Sequence, residues 1–153
     1  MKSLERFLQN NPRNVELLRK ELAREKARRS IAEFCLFTDD RYQMNWHHRL
    51  LCEYLDAFTK KEVRRLMVFM PPRHGKSMTV TETFPSFFLC KNPEKRVIEI
   101  SYSGSLAQQF GKRNRDKVEE YGPVLFGHTV SPVQRTKTNW NLENGTGGMI
   151  SVG

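Results

Sequence analysis

The sequence predicts an α/β fold, with a three-layer domain over residues 61–153 and a helical region over residues 1–60. Three observations predict it. Leu66 to Met70 is a continuous apolar run of strand length, as a parallel strand covered on both faces requires. Pro71-Pro72-Arg73-His74-Gly75-Lys76-Ser77 follows at once and opens a helical stretch. Arg96 to Tyr102 is a second strand segment, followed by a long helical pattern. Strand, loop, helix, strand, helix and hairpin in that order build a parallel sheet with helices on its faces.

The elements run as follows from the N-terminus. Val15, Leu17, Leu18, Leu22 and Ala23 recur at helical spacing, so a helix is expected from Asn14, as cap, to Arg29. Its Arg19, Lys20, Arg24, Lys26, Arg28 and Arg29 form either a solvated face or a nucleic-acid contact. Ile31 to Phe37 is an apolar patch closed by Thr38-Asp39-Asp40. An apolar run ending in two acids also has the form of the Mg²⁺-holding motif of phosphate-loop ATPases. It precedes the loop, the wrong order, so a turn is expected instead. Trp46 to Phe58 is an amphipathic helix capped by Asn45, with Leu50, Leu51, Tyr54, Leu55 and Phe58 on one face. His47 and His48 are adjacent, so their side chains should diverge by about 100° and share no metal.

Gly75-Lys76-Ser77 after a strand and before a helix has the form of a phosphate-binding loop. Backbone N–H groups of such a loop converge on phosphate oxygens. Lys76 would reach the β- and γ-phosphates of a nucleotide, and the Ser77 hydroxyl would hold Mg²⁺. The full pattern wants glycine where Met70 stands. Ser77 to Leu89 should be helical, kinked or ended early by Pro85, and Lys91 to Lys95 is a turn. Ser105 should cap a helix from Leu106 to Tyr121, with Leu106, Phe110 and Val118 inward, ended by Gly122-Pro123. Lys112, Arg113, Arg115 and Lys117 cluster on it as candidate nucleic-acid contacts. Asn139–Leu142 and Met149–Val152 bracket a Gly-rich turn and read as a β-hairpin.

The 153 residues carry a formal charge of +9 and a sequence pI near 9.7. Such a chain attracts polyanions, nucleic acid above all. Cys35, Cys52 and Cys90 are odd in number, widely spaced and set among apolar residues, so buried reduced thiols are expected. No apolar run approaches membrane-spanning length, and the N-terminus has no signal-peptide core. The chain stops in a Gly-rich strand just begun, which reads as truncation.

Met-Pro-Pro-Arg-His-Gly-Lys-Ser resembles the divergent phosphate loop of the large terminase subunit of tailed bacteriophages and prophages, where Pro-Pro-Arg replaces the first glycine. Tyr42-Gln-Met-Asn-Trp-His-His48 and Val97-Ile-Glu-Ile-Ser-Tyr-Ser103 with Leu106-Ala107 extend the similarity over about residues 31–153. The resemblance implies a RecA-like motor domain that uses ATP and Mg²⁺ to drive double-stranded DNA into a capsid. It also implies a separate nuclease domain. Pro72, Arg73, His74, Gly75, Lys76, Ser77 and Met78 would then line the nucleotide, Arg73 and Lys76 would act on the γ-phosphate, and Gln43 would contact the adenine. Portal, procapsid and small terminase subunit would be partners, in a ring and in the bacterial host cytoplasm.

No apolar strand after the loop ends in paired acids, so the Mg²⁺-holding and water-activating carboxylates are expected beyond Gly153, and this chain alone is expected to be inactive. Two alternatives stay open: another helicase-class ATPase, or a non-enzymatic nucleic-acid-binding or assembly module with a vestigial loop.

Overall fold

The computed structural model describes residues 12–143 and 146–153. The stretch of the N-terminal region ahead of residue 12, and Asn144 and Gly145 of the expected hairpin turn, lie outside the described residues.

Helix α1 (Pro12–Arg29) starts at a proline, whose fixed φ suits the first helical position. Asn14 is therefore inside the first turn and not the cap that the sequence pointed to. Four cations of α1 pair with its own acids: Lys20 with Glu16 at 2.7 Å, Arg29 with Glu25 at 2.7 Å, Arg28 with Glu21 and Glu25, and Arg24 with Glu21. Helix α2 (Ile31–Thr38) is capped by Ser30 and buries Ile31, Phe34 and Cys35. Asp39 and Asp40 follow it in a turn, where the Asp39 carboxylate accepts the Arg41 N–H at 3.0 Å. Helix α3 (Trp46–Thr59) has Asn45 as cap and sends Leu51, Cys52 and Leu55 into a core shared with Ala27, Ile31, Phe34 and Phe87.

The helix expected over Ser77–Leu89 is two helices, α4 (Lys76–Val80) and α5 (Phe84–Lys91). Asn114 decides the break. Its side-chain amide donates to Thr81 O at 2.7 Å and its carbonyl accepts Ser86 N–H at 3.0 Å, so both groups are satisfied outside a helix. Pro85 lies in the first turn of α5, where a missing N–H costs nothing.

Strand β1 (Arg96–Ile100) leads to helix α6 (Gly104–Leu125). Ser103, not Ser105, caps α6, accepting Leu106 N–H at 3.3 Å, and the helix runs on through Gly122 and Pro123. Strands β2 (Val130–Arg135), β3 (Asn139–Leu142) and β4 (Gly148–Val152) complete a mixed sheet of order β1-β4-β3-β2. Strands β1 and β4 are parallel, and the other pairs are antiparallel. The β3–β4 hairpin is the expected one. Strand β2 carries Pro132 and a register shift, which hid it in the sequence. Helix α6 covers one sheet face over Trp140, Met149 and Leu142, with Trp140 Nε1–H donating to Gly111 O at 3.1 Å. Gly111 is required there, because any Cβ would strike the Lys137 carbonyl.

The strand expected at Leu66–Met70 does not form. The segment is extended but pairs with no strand among the described residues. Leu66, Val68 and Met70 pack on the helical core, whereas Met67 and Phe69 are 79% and 83% exposed. An unbroken apolar run had pointed to burial on both faces, and only one face is covered. All three cysteines are buried and unpaired, and burial pushes the Cys90 thiol up to about 12. No helix among the described residues is long and apolar enough to cross a membrane.

Candidate phosphate-binding site

Residues 71–75 leave the extended segment and turn into α4. Two of them are left-handed, Arg73 at φ 62° and Gly75 at φ 76°. Glycine takes that conformation freely, but arginine pays for it and must be held. His74, between them, supplies one hold: its Nδ1–H donates to Pro72 O at 2.8 Å.

The other holds come from the first turn of α3, from α4 and from the segment before α3. His48 Nε2 lies 3.0 Å from the His74 carbonyl, and a carbonyl can only accept, so Nε2 carries the hydrogen. His48 Nδ1 accepts the Asn45 N–H at 3.1 Å, closing the capping box of α3. The Gly75 carbonyl accepts from Thr79 N–H and Thr79 Oγ1–H, both at 3.0 Å. With the Thr79 hydrogen so used, Tyr42 O–H donates to Thr79 Oγ1 at 2.5 Å. Two successive loop carbonyls, those of His74 and Gly75, are thus pinned inward.

A trans peptide points its N–H away from its C=O. Pinning the His74 and Gly75 carbonyls inward therefore turns the Gly75 and Lys76 N–H groups outward. Lys76, Ser77 and Arg73 are exposed, and among the described residues none has a side-chain hydrogen bond or ion pair. Lys76 borders a shallow depression of about 350 Å³ with Val68, Phe69, Met70 and Pro71. A larger apolar groove of about 660 Å³ lies between α3 and the extended segment, with Trp46, Tyr54, Phe69 and His74 on its walls.

The expected site residues divide accordingly. Arg73, Gly75, Lys76 and Ser77 present charge, N–H or hydroxyl outward. Pro72 has no N–H, and its carbonyl is taken by His74, so it shapes the loop. Met78 packs its side chain on the helical core. Gln43 is exposed and makes no side-chain hydrogen bond among the described residues. Its neighbours Tyr42 and His48 do the bracing, and sequence reasoning missed both. The Asn45-to-His48 capping-box spacing was the signal that could have found His48. The His47 and His48 rings also do not diverge: their centroids are 4.0 Å apart, because His48 folds back to cap its own helix. No group of three His, Cys, Asp or Glu among the described residues could hold a metal ion.

The four cations on α6 form no single free surface. Lys112 pairs with Asp116 at 2.5 Å and Arg113 with Glu82. Arg115 has a side chain only 16% exposed, which bonds Asp116 and the Arg135 carbonyl. Lys117 reaches inward to Thr38 Oγ1 at 3.1 Å, and desolvation lowers its ammonium below the ordinary lysine value.

No family model, curated protein or solved structure matches this chain.

Proposed function

We propose that residues 71–78 bind the β- and γ-phosphates of ATP, and that the chain serves a DNA-translocating motor of the terminase large-subunit kind. One observation carries the phosphate reading: two pinned carbonyls aim the Gly75 and Lys76 N–H groups outward, beside the unpaired Lys76 and Arg73. Anionic oxygens are what such adjacent, outward-turned donors and cations attract. The exposed Ser77 hydroxyl fits Mg²⁺, which takes few protein ligands and keeps water and phosphate oxygens around it. Bound there, Mg²⁺ would neutralise charge developing on the phosphates. Arg73, exposed on the same loop, would act on the γ-phosphate, where a cation stabilises developing charge. The +9 charge supports double-stranded DNA as the partner. Portal, procapsid, small terminase subunit, ring assembly and the bacterial cytoplasm belong to the same reading.

Lys76→Ala tests it. Losing one charge-assisted contact should weaken ATP binding by about 10–100-fold in calorimetric titration. Equal affinity for the two chains would take the phosphates elsewhere.

A further inference from the structure

We infer that His48 is the positioning residue of the phosphate loop, holding the His74 carbonyl inward so that the Gly75 N–H points at the phosphate. This role stands only if residues 71–78 bind phosphate as proposed.

Three features single His48 out. It is 7% exposed, and both ring nitrogens are used: Nδ1 on its own helix cap and Nε2 on the loop. The ring therefore locks the start of α3 to the bend of the loop. The fit is tight on the loop side, since a Cβ at residue 75 would strike His48 Nε2. Glycine at 75 thus answers two demands, a left-handed φ of 76° and room for this imidazole. Finally, both bonds need the neutral Nε2–H tautomer. Burial, then the neighbouring His47, hold the imidazole below its ordinary value of 6.5 and favour that form. The ionisable groups that face it are His47 on α3, His74 on the loop and Tyr42 from the preceding segment, its ring 5.5 Å away. None of them is a carboxylate that would draw a second proton onto the ring.

Two conservative variants separate the bonds. Glutamine places an N–H donor near the position of Nε2, whereas asparagine offers an acceptor near Nδ1 and falls short of the loop. A residue that only caps α3 would be rescued by asparagine. A residue that positions the loop would be rescued by glutamine. The experiment titrates ATP into wild type, His48→Gln, His48→Asn and Lys76→Ala, and follows the Gly75 amide by ¹⁵N NMR without nucleotide. The Gln variant should bind within about twofold of wild type and the Asn variant about tenfold more weakly. The Gly75 amide should move in the Asn variant alone. If Lys76→Ala loses binding while His48→Asn binds as wild type, the positioning role is overturned and the phosphate loop survives. If Lys76→Ala binds as wild type, the phosphate loop falls and the role falls with it. An unmoved Gly75 amide in His48→Asn overturns the role whatever the nucleotide does.

Discussion

At the scale of single residues, Glu99 carries an unmet cost. It faces Ser151 across β1 and β4, yet neither carboxylate oxygen nor the serine hydroxyl has a hydrogen-bond partner of good geometry. Burial raises its carboxyl above the ordinary 4.5, the Ser151 hydroxyl offsetting part of that. The folded chain then holds this proton more readily than the unfolded chain. Its contribution to stability is full below about pH 4.5 and is lost as pH rises through the raised value. Glu99→Gln removes the charge and supplies a donor. It should raise the melting temperature at pH 7 by about 2–4 °C, with the gain vanishing near pH 4. An equal gain at both pH values in calorimetry would show that titration of Glu99 is not its source.

At the scale of elements, the corner between α4 and α5 depends on α6. Asn114 is fully buried and bonds Thr81 O, Ser86 N–H and Phe110 O. Alanine there would leave a buried carbonyl and a buried N–H without partners. Asn114→Ala should cost about 3 kcal/mol in urea unfolding. A cost under 1 kcal/mol would mean that water replaces the amide. This corner was illegible locally, since Ser77 to Leu89 reads as one helix until an asparagine 33 residues after Thr81 claims its carbonyl. By contrast, the span and cap of α3 were legible, because Asn45 and the apolar residues after it are sequence neighbours, although Leu50 and Tyr54 of the expected face are exposed and His48 and Cys52 are buried in their place.

At the scale of the whole molecule, 26 basic residues outnumber 17 acidic ones. The surplus is not where α6 suggested, because the cations of α6 have partners. Lys60, Lys61, Arg64 and Arg65, between α3 and the extended segment, are exposed and make no ion pair among the described residues. If double-stranded DNA is the partner, this is one surface free to neutralise phosphate. Replacing Arg64 and Arg65 with alanine should flatten log affinity against log salt by about one unit each. Arg115→Ala should leave that slope alone and lower the unfolding midpoint. The reverse pattern would return the DNA track to α6.

The sequence by itself determined whatever depends on neighbours along the chain: the helices α1 and α3, the Gly75-Lys76-Ser77 turn into a helix, β1, the β3–β4 hairpin and the burial of three thiols. Caps, periodicity and left-handed glycines act over a few residues and leave their mark there. Only the tertiary structure decided the rest. Leu66 to Met70 needed a partner strand to be a strand, and the described residues provide none. Lys112, Arg113, Arg115 and Lys117 needed their carboxylate and carbonyl partners placed before they could be read as paired. His48 and Tyr42 gain their place at the loop because hydrogen bonds join them to residues 26 and 37 positions further along. Contacts of that range depend on how helices pack, which no local pattern encodes.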